Sequence, residues 1–300
     1  MKADLKKILK GHAASVYCLC LDEVASLLFS GSSDRMVGTW NLEHLIPDGF
    51  SVKLEAPVFS LFKLEQLLFI GQGNGGVHVV DIATKKEIRH LKYHNRPVFE
   101  IIAHPAKPYL YFLGGEGILS IVDSSNFSLK WSLPIAEDKL RTATLDSEGA
   151  NLLVGSSDGF IRILETDYYN TLSEVKAHEG GVYDMAWLSD DKLLSVGRDG
   201  HIRRWEYKDG QIVETDSVPA HNFAIYSIDI APSGKSFATA SRDKTVKVWN
   251  PLDLKKPLRI SRKGPVGHTH SVNVVKWIND HLLVSAGDDR DLQFWSISGS

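Results

Sequence analysis

Apolar and polar residues alternate in short runs along the whole chain, with a period of two instead of 3.6. Thr245-Val246-Lys247-Val248-Trp249 and Phe160-Ile161-Arg162-Ile163-Leu164 send successive side chains to opposite faces, as half-buried strands do. Turn formers interrupt the runs at Asp34-Arg35, Asn74-Gly75 and Asp158-Gly159, where a tight hairpin is needed. No segment carries a sustained helical stripe, so the pattern predicts an all-β chain without a long α-helix.

These strands recur in a fixed frame. A His is followed four residues on by an aliphatic residue and 21 or 22 on by an Asp, with Ser or Thr four before that Asp and Trp six after it. The pattern occurs four times: His12, Val16, Ser30, Asp34 and Trp40; His178, Val182, Ser195, Asp199 and Trp205; His221, Ile225, Thr239, Asp243 and Trp249; His268, Val272, Ser285, Asp289 and Trp295. Degenerate copies centred on Asn74, Glu116 and Asp158 fill the gap, and the seven turn positions follow one another at steps of 40, 42, 42, 41, 44 and 46 residues. A period of about 40–45 residues marks a propeller or solenoid array. Seven repeats of four short antiparallel strands, a to d, then account for residues 1–300 as one domain.

The openings Gly-His or Ala-His and the closings Trp40-Asn41, Trp205-Glu206 and Trp249-Asn250 resemble the WD40 family over essentially the full length, although the family's closing Trp-Asp dipeptide is absent. The resemblance implies a seven-bladed β-propeller around a central channel. It also implies that His, Ser or Thr, Asp and Trp of each repeat form a structural hydrogen-bonded chain. The last repeat supplies only strands a to c, so the N-terminal segment from Leu5 to His12 is expected to complete the seventh blade, leaving Ser298-Gly299-Ser300 as a tail. Where the network is lost, its interior members turn apolar together: Ile70 and Val80 in the second repeat, Val154 and Leu164 in the fourth. The third repeat keeps His94 and Glu116 but has Phe112 and Val122 in place of the other two, which leaves no evident partner set for His94.

Composition adds limits. Hydrophobic residues make up 43% of the chain, ample for a core, and a formal net charge of −3 gives no bias toward nucleic acid or membrane. Cys18 and Cys20, two apart on one strand, are poorly placed to bridge and fit a reducing compartment. No apolar leader follows Met1 and no run reaches membrane-spanning length, so a cytoplasmic protein is expected, monomeric within a complex.

Several motifs suggest catalysis until their context is read. Gly71-Gln72-Gly73-Asn74-Gly75-Gly76 matches a dinucleotide pattern, but Val77-His78-Val79-Val80 predicts a strand after it instead of a phosphate-binding helix. Ser233-Gly234-Lys235-Ser236 reads as a turn between strands a and b of the sixth repeat. His268 and His270 lack a completing ligand, so no metal or other cofactor is expected. The repeated Ser, His and Asp lack a nucleophile elbow and are read as scaffold.

The surface carries the functional expectation. The residue after the first aliphatic of strand a is Tyr17, Phe59, Phe99, Arg141, Tyr183, Tyr226 or Asn273, and five of the seven are aromatic. The residue before each turn position includes Arg198 and Arg242, with Ser33, Gly73, Gly115, Ser157 and Asp288 in the other repeats. Aromatics and Arg are enriched at binding hot spots, although aromatics could also merely plug a channel. The expectation is a non-catalytic scaffold binding a peptide or folded protein on this face. A propeller using it for a glycan or single-stranded nucleic acid, with Arg141, Arg198 and Arg242 holding anions, is the alternative.

Overall fold

The structure is a computed structural model that describes residues 1–264 and 266–299. Its strands follow the alternating runs. β1 (Lys2–Leu9) precedes blade 1, formed by β2 (Val16–Asp22), β3 (Leu27–Ser32), β4 (Met36–Asn41) and β5 (Ile46–Lys53). Blade 2 is β6 (Val58–Leu64), β7 (Leu67–Gln72), β8 (Gly76–Asp81) and β9 (Lys86–Lys92); blade 3 is β10 (Val98–Ala103), β11 (Tyr109–Gly114), β12 (Ile118–Asp123) and β13 (Leu129–Pro134). Blade 4 is β14 (Leu140–Leu145), β15 (Asn151–Ser156), β16 (Phe160–Glu165) and β17 (Thr171–Lys176); blade 5 is β18 (Val182–Ser189), β19 (Lys192–Gly197), β20 (His201–Lys208) and β21 (Gln211–Pro219). Blade 6 is β22 (Ile225–Ile230), β23 (Phe237–Ser241), β24 (Val246–Asn250) and β25 (Asp253–Ile260), and blade 7 begins with β26 (Val272–Asn279), β27 (Leu282–Gly287) and β28 (Leu292–Ser298). Among the described residues no helix forms.

Each sheet has four antiparallel strands, and the seventh reads β1-β28-β27-β26. The N-terminal strand therefore closes the ring as expected, and it starts earlier than Leu5, with Lys2 opposite Ser298 and Leu9 opposite Leu292. Ser298 is thus part of the closing ladder and not of a dispensable tail, while Ser300 lies outside the described residues.

Every b–c hairpin turns through a residue with positive φ. These are Arg35 (69°), Gly75 (89°), Gly117 (84°), Gly159 (90°), Gly200 (74°), Lys244 (70°) and Arg290 (72°). In five of them the preceding side chain accepts from the amide two residues on, as in Met36 N to Asp34 Oδ1 at 2.9 Å and Gly76 N to Asn74 Oδ1 at 3.0 Å. Glycine is required at 117 for a second reason, since a Cβ there would stand 1.9 Å from the Ala136 carbonyl oxygen. Gly71 to Gly76 is such a hairpin between β7 and β8, and Ser233 to Lys235 joins β22 to β23, so neither presents phosphate-binding geometry.

The core lies between blades. Phe69, Val77 and Val79 of blade 2 pack on Val98, Leu110 and Phe112 of blade 3, and Leu28 and Trp40 of blade 1 on Val284, Leu292 and Phe294 of blade 7. A blade buries its apolar faces only against its neighbours, as packed sheets must. Leu9 joins the seam between blades 7 and 1, and Leu5 the seam between blades 6 and 7.

Removal of residues 1–10 deletes β1, bares the edge of β28 and opens both seams. That variant is expected to aggregate, and the intact chain is expected to run as a monomer on size exclusion. A soluble, monomeric product with an unchanged melting curve would show that β1 is dispensable.

Candidate functional site at the channel mouth

The repeated polar residues form four parallel relays. In blade 1, His12 Nδ1 meets Asp34 Oδ2 at 3.0 Å, His12 Nε2 meets Ser30 Oγ at 2.7 Å, and Trp40 Nε1 donates to Ser30 Oγ at 2.8 Å. The corresponding distances are 2.9, 2.7 and 2.9 Å for His178, Ser195 and Trp205, and 2.9, 2.8 and 2.9 Å for His221, Thr239 and Trp249. His268, Ser285 and Trp295 repeat the geometry with Asp289. One proton arrangement satisfies every member: Trp N–H to hydroxyl, hydroxyl O–H to His Nε2, His Nδ1–H to Asp. It requires a neutral His. Burial indeed holds His178 and His221 below the usual imidazole range, against the pull of Asp199 and Asp243. Burial opposes ionisation of Asp243 too, but hydrogen bonds from His221, Thr245 and the Asn222 amide outweigh it and keep the carboxyl well below its ordinary value. Each intact His, Ser or Thr and Asp set has its polar atoms engaged in its Trp relay.

The degenerate blades use other solutions. In blade 4, Arg162 reaches Asp158 Oδ2 at 2.8 Å, Ser156 Oγ at 2.8 Å and Glu174 Oε2 at 2.6 Å. In blade 2, Gln72 bridges the Ala56 carbonyl (2.9 Å) and His78 Nε2 (2.8 Å). Blade 3 remains half-satisfied: His94 Nδ1 meets Glu116 Oε1 at 3.0 Å, while His94 Nε2 and Glu116 Oε2 are buried with no partner.

The seven collar positions converge on one mouth, and a repeated irregularity puts them there. Each innermost strand slips register at the residue after its first aliphatic: Val16 pairs with Ser32 and Cys18 with Gly31, and the same slip recurs in β6, β10, β14, β18, β22 and β26. The skipped residue is Tyr17, Phe59, Phe99, Arg141, Tyr183, Tyr226 or Asn273. A β-bulge leaves its extra residue out of the ladder and re-aims its side chain, here into the channel.

The collar is nearly continuous. Tyr17 stacks on Phe59 (5.0 Å between centroids), Phe59 meets Phe99 edge-on (5.4 Å), and Tyr183 stacks on Tyr226 (5.6 Å). Arg141 bridges the two aromatic groups, its guanidinium 4.3 Å from the Phe99 ring centre and 5.2 Å from that of Tyr183. Asn273 Nδ2 donates to the Val16 carbonyl (3.0 Å) and to Asp288 Oδ1 (2.8 Å), spanning the seam between blades 7 and 1. Gly73 and Gly115 are the floor on which Phe59 and Phe99 lean, since a Cβ there would come within 3.0 and 3.2 Å of those rings. Arg198 and Arg242 are exposed and stand outside this collar, Arg242 lying over Phe223 at 5.9 Å. The collar separates an outer cavity of ≈ 360 Å³ from an inner chamber of ≈ 340 Å³.

Sequence reasoning missed the inner chamber. Glu100 Oε2 accepts from the Ala143 amide (2.5 Å), Asp184 Oδ2 from the Ile228 amide (2.8 Å) and Asp229 Oδ2 from the Trp277 amide (2.7 Å), each reaching into the next blade. Lys276 Nζ lies 2.7 Å from Asp229 Oδ1. Burial, then the neighbouring Asp184 charge, pushes Glu100 up to about 8, and burial pushes Asp184 up to about 7. Their signal in the sequence was a charged residue on an otherwise apolar innermost strand, as in Phe99-Glu100-Ile101 and Tyr183-Asp184-Met185. Cys18 also faces the chamber, where burial raises its thiol pKa and so lowers its thiolate fraction. Among the described residues no group of three or more His, Cys, Asp or Glu is placed to hold a metal ion.

The family model for the WD domain, G-beta repeat, matches residues 3–41, 169–206, 212–250 and 260–296, together just over half of the chain. The chain belongs to the WD40 family. The matched spans carry the four intact relays, and the unmatched stretch carries the three degenerate blades of this WD40 propeller. Its relatives include apoptotic protease-activating factor 1 of Rattus norvegicus, 25% identical over 96% of this chain and 22% of the relative. WD repeat-containing protein 1 of Gallus gallus is 23% identical and the 66 kDa stress protein of Physarum polycephalum 24% identical, each over 97% of this chain and 48% of the relative. The chain therefore spans less than half the length of these relatives.

Two measurements probe the polar groups. Asp243→Ala removes the acceptor of a relay whose carboxylate is only 7% exposed, and is expected to cost about 2–4 kcal/mol in denaturant melts. Asp158→Ala, losing an ion pair with 28% of its carboxylate side chain exposed, is expected to cost at least about 1 kcal/mol less, as stability measurements on the two variants will show.

In the chamber, Glu100 and Asp184 bind protons more tightly folded than unfolded. Their contribution is full below the unfolded carboxylate range and is lost as pH rises through about 7 to 8. Urea midpoints are expected to fall between pH 6 and pH 8.5, and Glu100→Gln, which keeps an acceptor for Ala143, should reduce that fall. An identical pH slope in the variant would refute the assignment.

Proposed function

We propose that this WD40 propeller is a non-catalytic, cytoplasmic interaction scaffold that holds a peptide segment of a protein partner in its channel mouth. WD40 propellers generally mediate protein–protein interactions within complexes. The observation that carries the reading for this chain is the bulge-directed collar. Seven innermost strands each expel one residue toward the mouth, and the resulting aromatic and Arg side chains stay partly exposed between two cavities. A plug would need no cavity on either side. The inner acids are tied to backbone amides or to Lys276 and supply no free acid, base and nucleophile set, which supports a binding role over a hydrolytic one. A site for single-stranded nucleic acid would draw on several cations along the backbone, and only Arg141 of the three arginines belongs to the collar.

Phe59→Ala combined with Tyr183→Ala is expected to weaken capture of a purified native partner by at least about 2 kcal/mol and to leave the melting midpoint nearly unchanged. A packing role would instead show as about 3 kcal/mol or more of lost stability. Full partner affinity in a well-folded double variant would remove the mouth from consideration.

A further inference from the structure

Arg141 is the one cation of the collar, and its surroundings are incomplete. Its Nε donates to Ser157 Oγ at 3.0 Å, and its guanidinium lies between the Phe99 and Tyr183 rings. Stacking and the single hydrogen bond fix the plane of the fork without neutralising it. Among the described residues no carboxylate stands within ion-pair distance, and neither Nη group has a hydrogen-bond partner. Neither Nη atom is sealed from the cavities. Several other enclosed cations of this propeller are paired with carboxylates, Arg162 with Asp158 and Glu174, Arg203 with Asp199 and Glu214, and Lys276 with Asp229, while Arg204 and Lys247 instead donate to the Pro251 and Ala220 carbonyls. Burial lowers the Arg141 pKa, with only partial compensation from Tyr183, Asp138 and Tyr226 at longer range. An enclosed, oriented, unpaired guanidinium opening onto a cavity is a receptor for a planar anion.

Resting on the reading of the mouth as a peptide site, we infer that the collar admits an acidic side chain of the bound peptide, whose carboxylate pairs with the two Nη groups of Arg141 while its methylene stem lies between the aromatic rings. The charge count favours a carboxylate over a phosphate. One guanidinium matches one negative charge, whereas a phosphate would bring close to two into a mouth that already holds Asp288. A basic side chain would meet the unpaired Arg141 head-on at the constriction, since Lys276 in the chamber beneath is already paired with Asp229.

A displayed library of random linear heptapeptides, selected on the folded wild-type protein and counter-selected on the Phe59→Ala/Tyr183→Ala variant, tests this. Peptides dependent on the collar are expected to share an Asp or Glu. Replacing that residue by Asn or Gln should weaken binding to the wild type about tenfold or more, as read by fluorescence anisotropy, and less than about twofold to Arg141→Met. Arg141→Gln serves as the second variant if the Met form melts early. Collar-dependent peptides with no acidic preference, or with a basic one, overturn the inference but leave the mouth as a peptide site. A synthetic version carrying phosphoserine in place of the acid and binding more tightly overturns the carboxylate assignment. Failure of the folded wild type to retain any peptide overturns the reading of the mouth itself, and the inference with it.

Discussion

Closure of the ring is the constraint on which the rest of this propeller depends. Every blade is apolar on both faces, so no blade is stable until two neighbours cover it, and a linear array would leave two faces bare. The chain meets this by giving its first strand to its last blade. β1 links the seams at both sides of blade 7, through Leu5 on one and Leu9 on the other. Asn273 adds a polar tie across the closing seam by donating to the Val16 carbonyl.

Within that ring, the blades differ in how they hold their loops. Four rely on the Trp–hydroxyl–His–Asp relay, in which each polar side-chain group of the chain finds a partner. Two have replaced the interior of the relay by apolar residues and the outer part by Arg162 or by Gln72 and His78. Among the described residues the Arg162 solution leaves no buried polar side chain of blade 4 orphaned, whereas in blade 2 His78 Nδ1 approaches Glu87 Oε1 at 3.1 Å without a hydrogen bond. A buried polar group without a partner carries its desolvation cost uncompensated. Blade 3 is the least satisfied, with His94 Nε2 and Glu116 Oε2 both orphaned. It is the blade where a restored hydroxyl partner has most to gain.

The channel joins architecture to binding. The bulge that expels the collar residue also turns the next residue inward, which is why Glu100 and Asp184 sit just beneath Phe99 and Tyr183. Their carboxyls accept from amides of the following blade and so act as clasps between blades as well as lining. Burial raises the proton affinity of both carboxyls and so lowers the charge these clasps carry near neutrality, while Arg141 at the constriction above them has no carboxylate partner among the described residues.

The fold was legible in the chain because a propeller repeats its local code. Period-two alternation, turn residues that demand a positive φ, and a polar relay recurring with its blade are short-range signals, and they determined the strands, their number and the ring. The collar positions were also readable, since they lie at a constant offset from the first aliphatic of each repeat. What they do there was decided only by the tertiary structure. The bulges depend on pairing between strands, the exclusion of Arg198 and Arg242 from the mouth depends on how far each loop stands from the axis, and the lack of a partner for Arg141 depends on residues from three blades meeting. The chamber acids escaped notice for the same reason: a lone Glu or Asp on a strand looks like an irregularity until seven strands face one another across a channel.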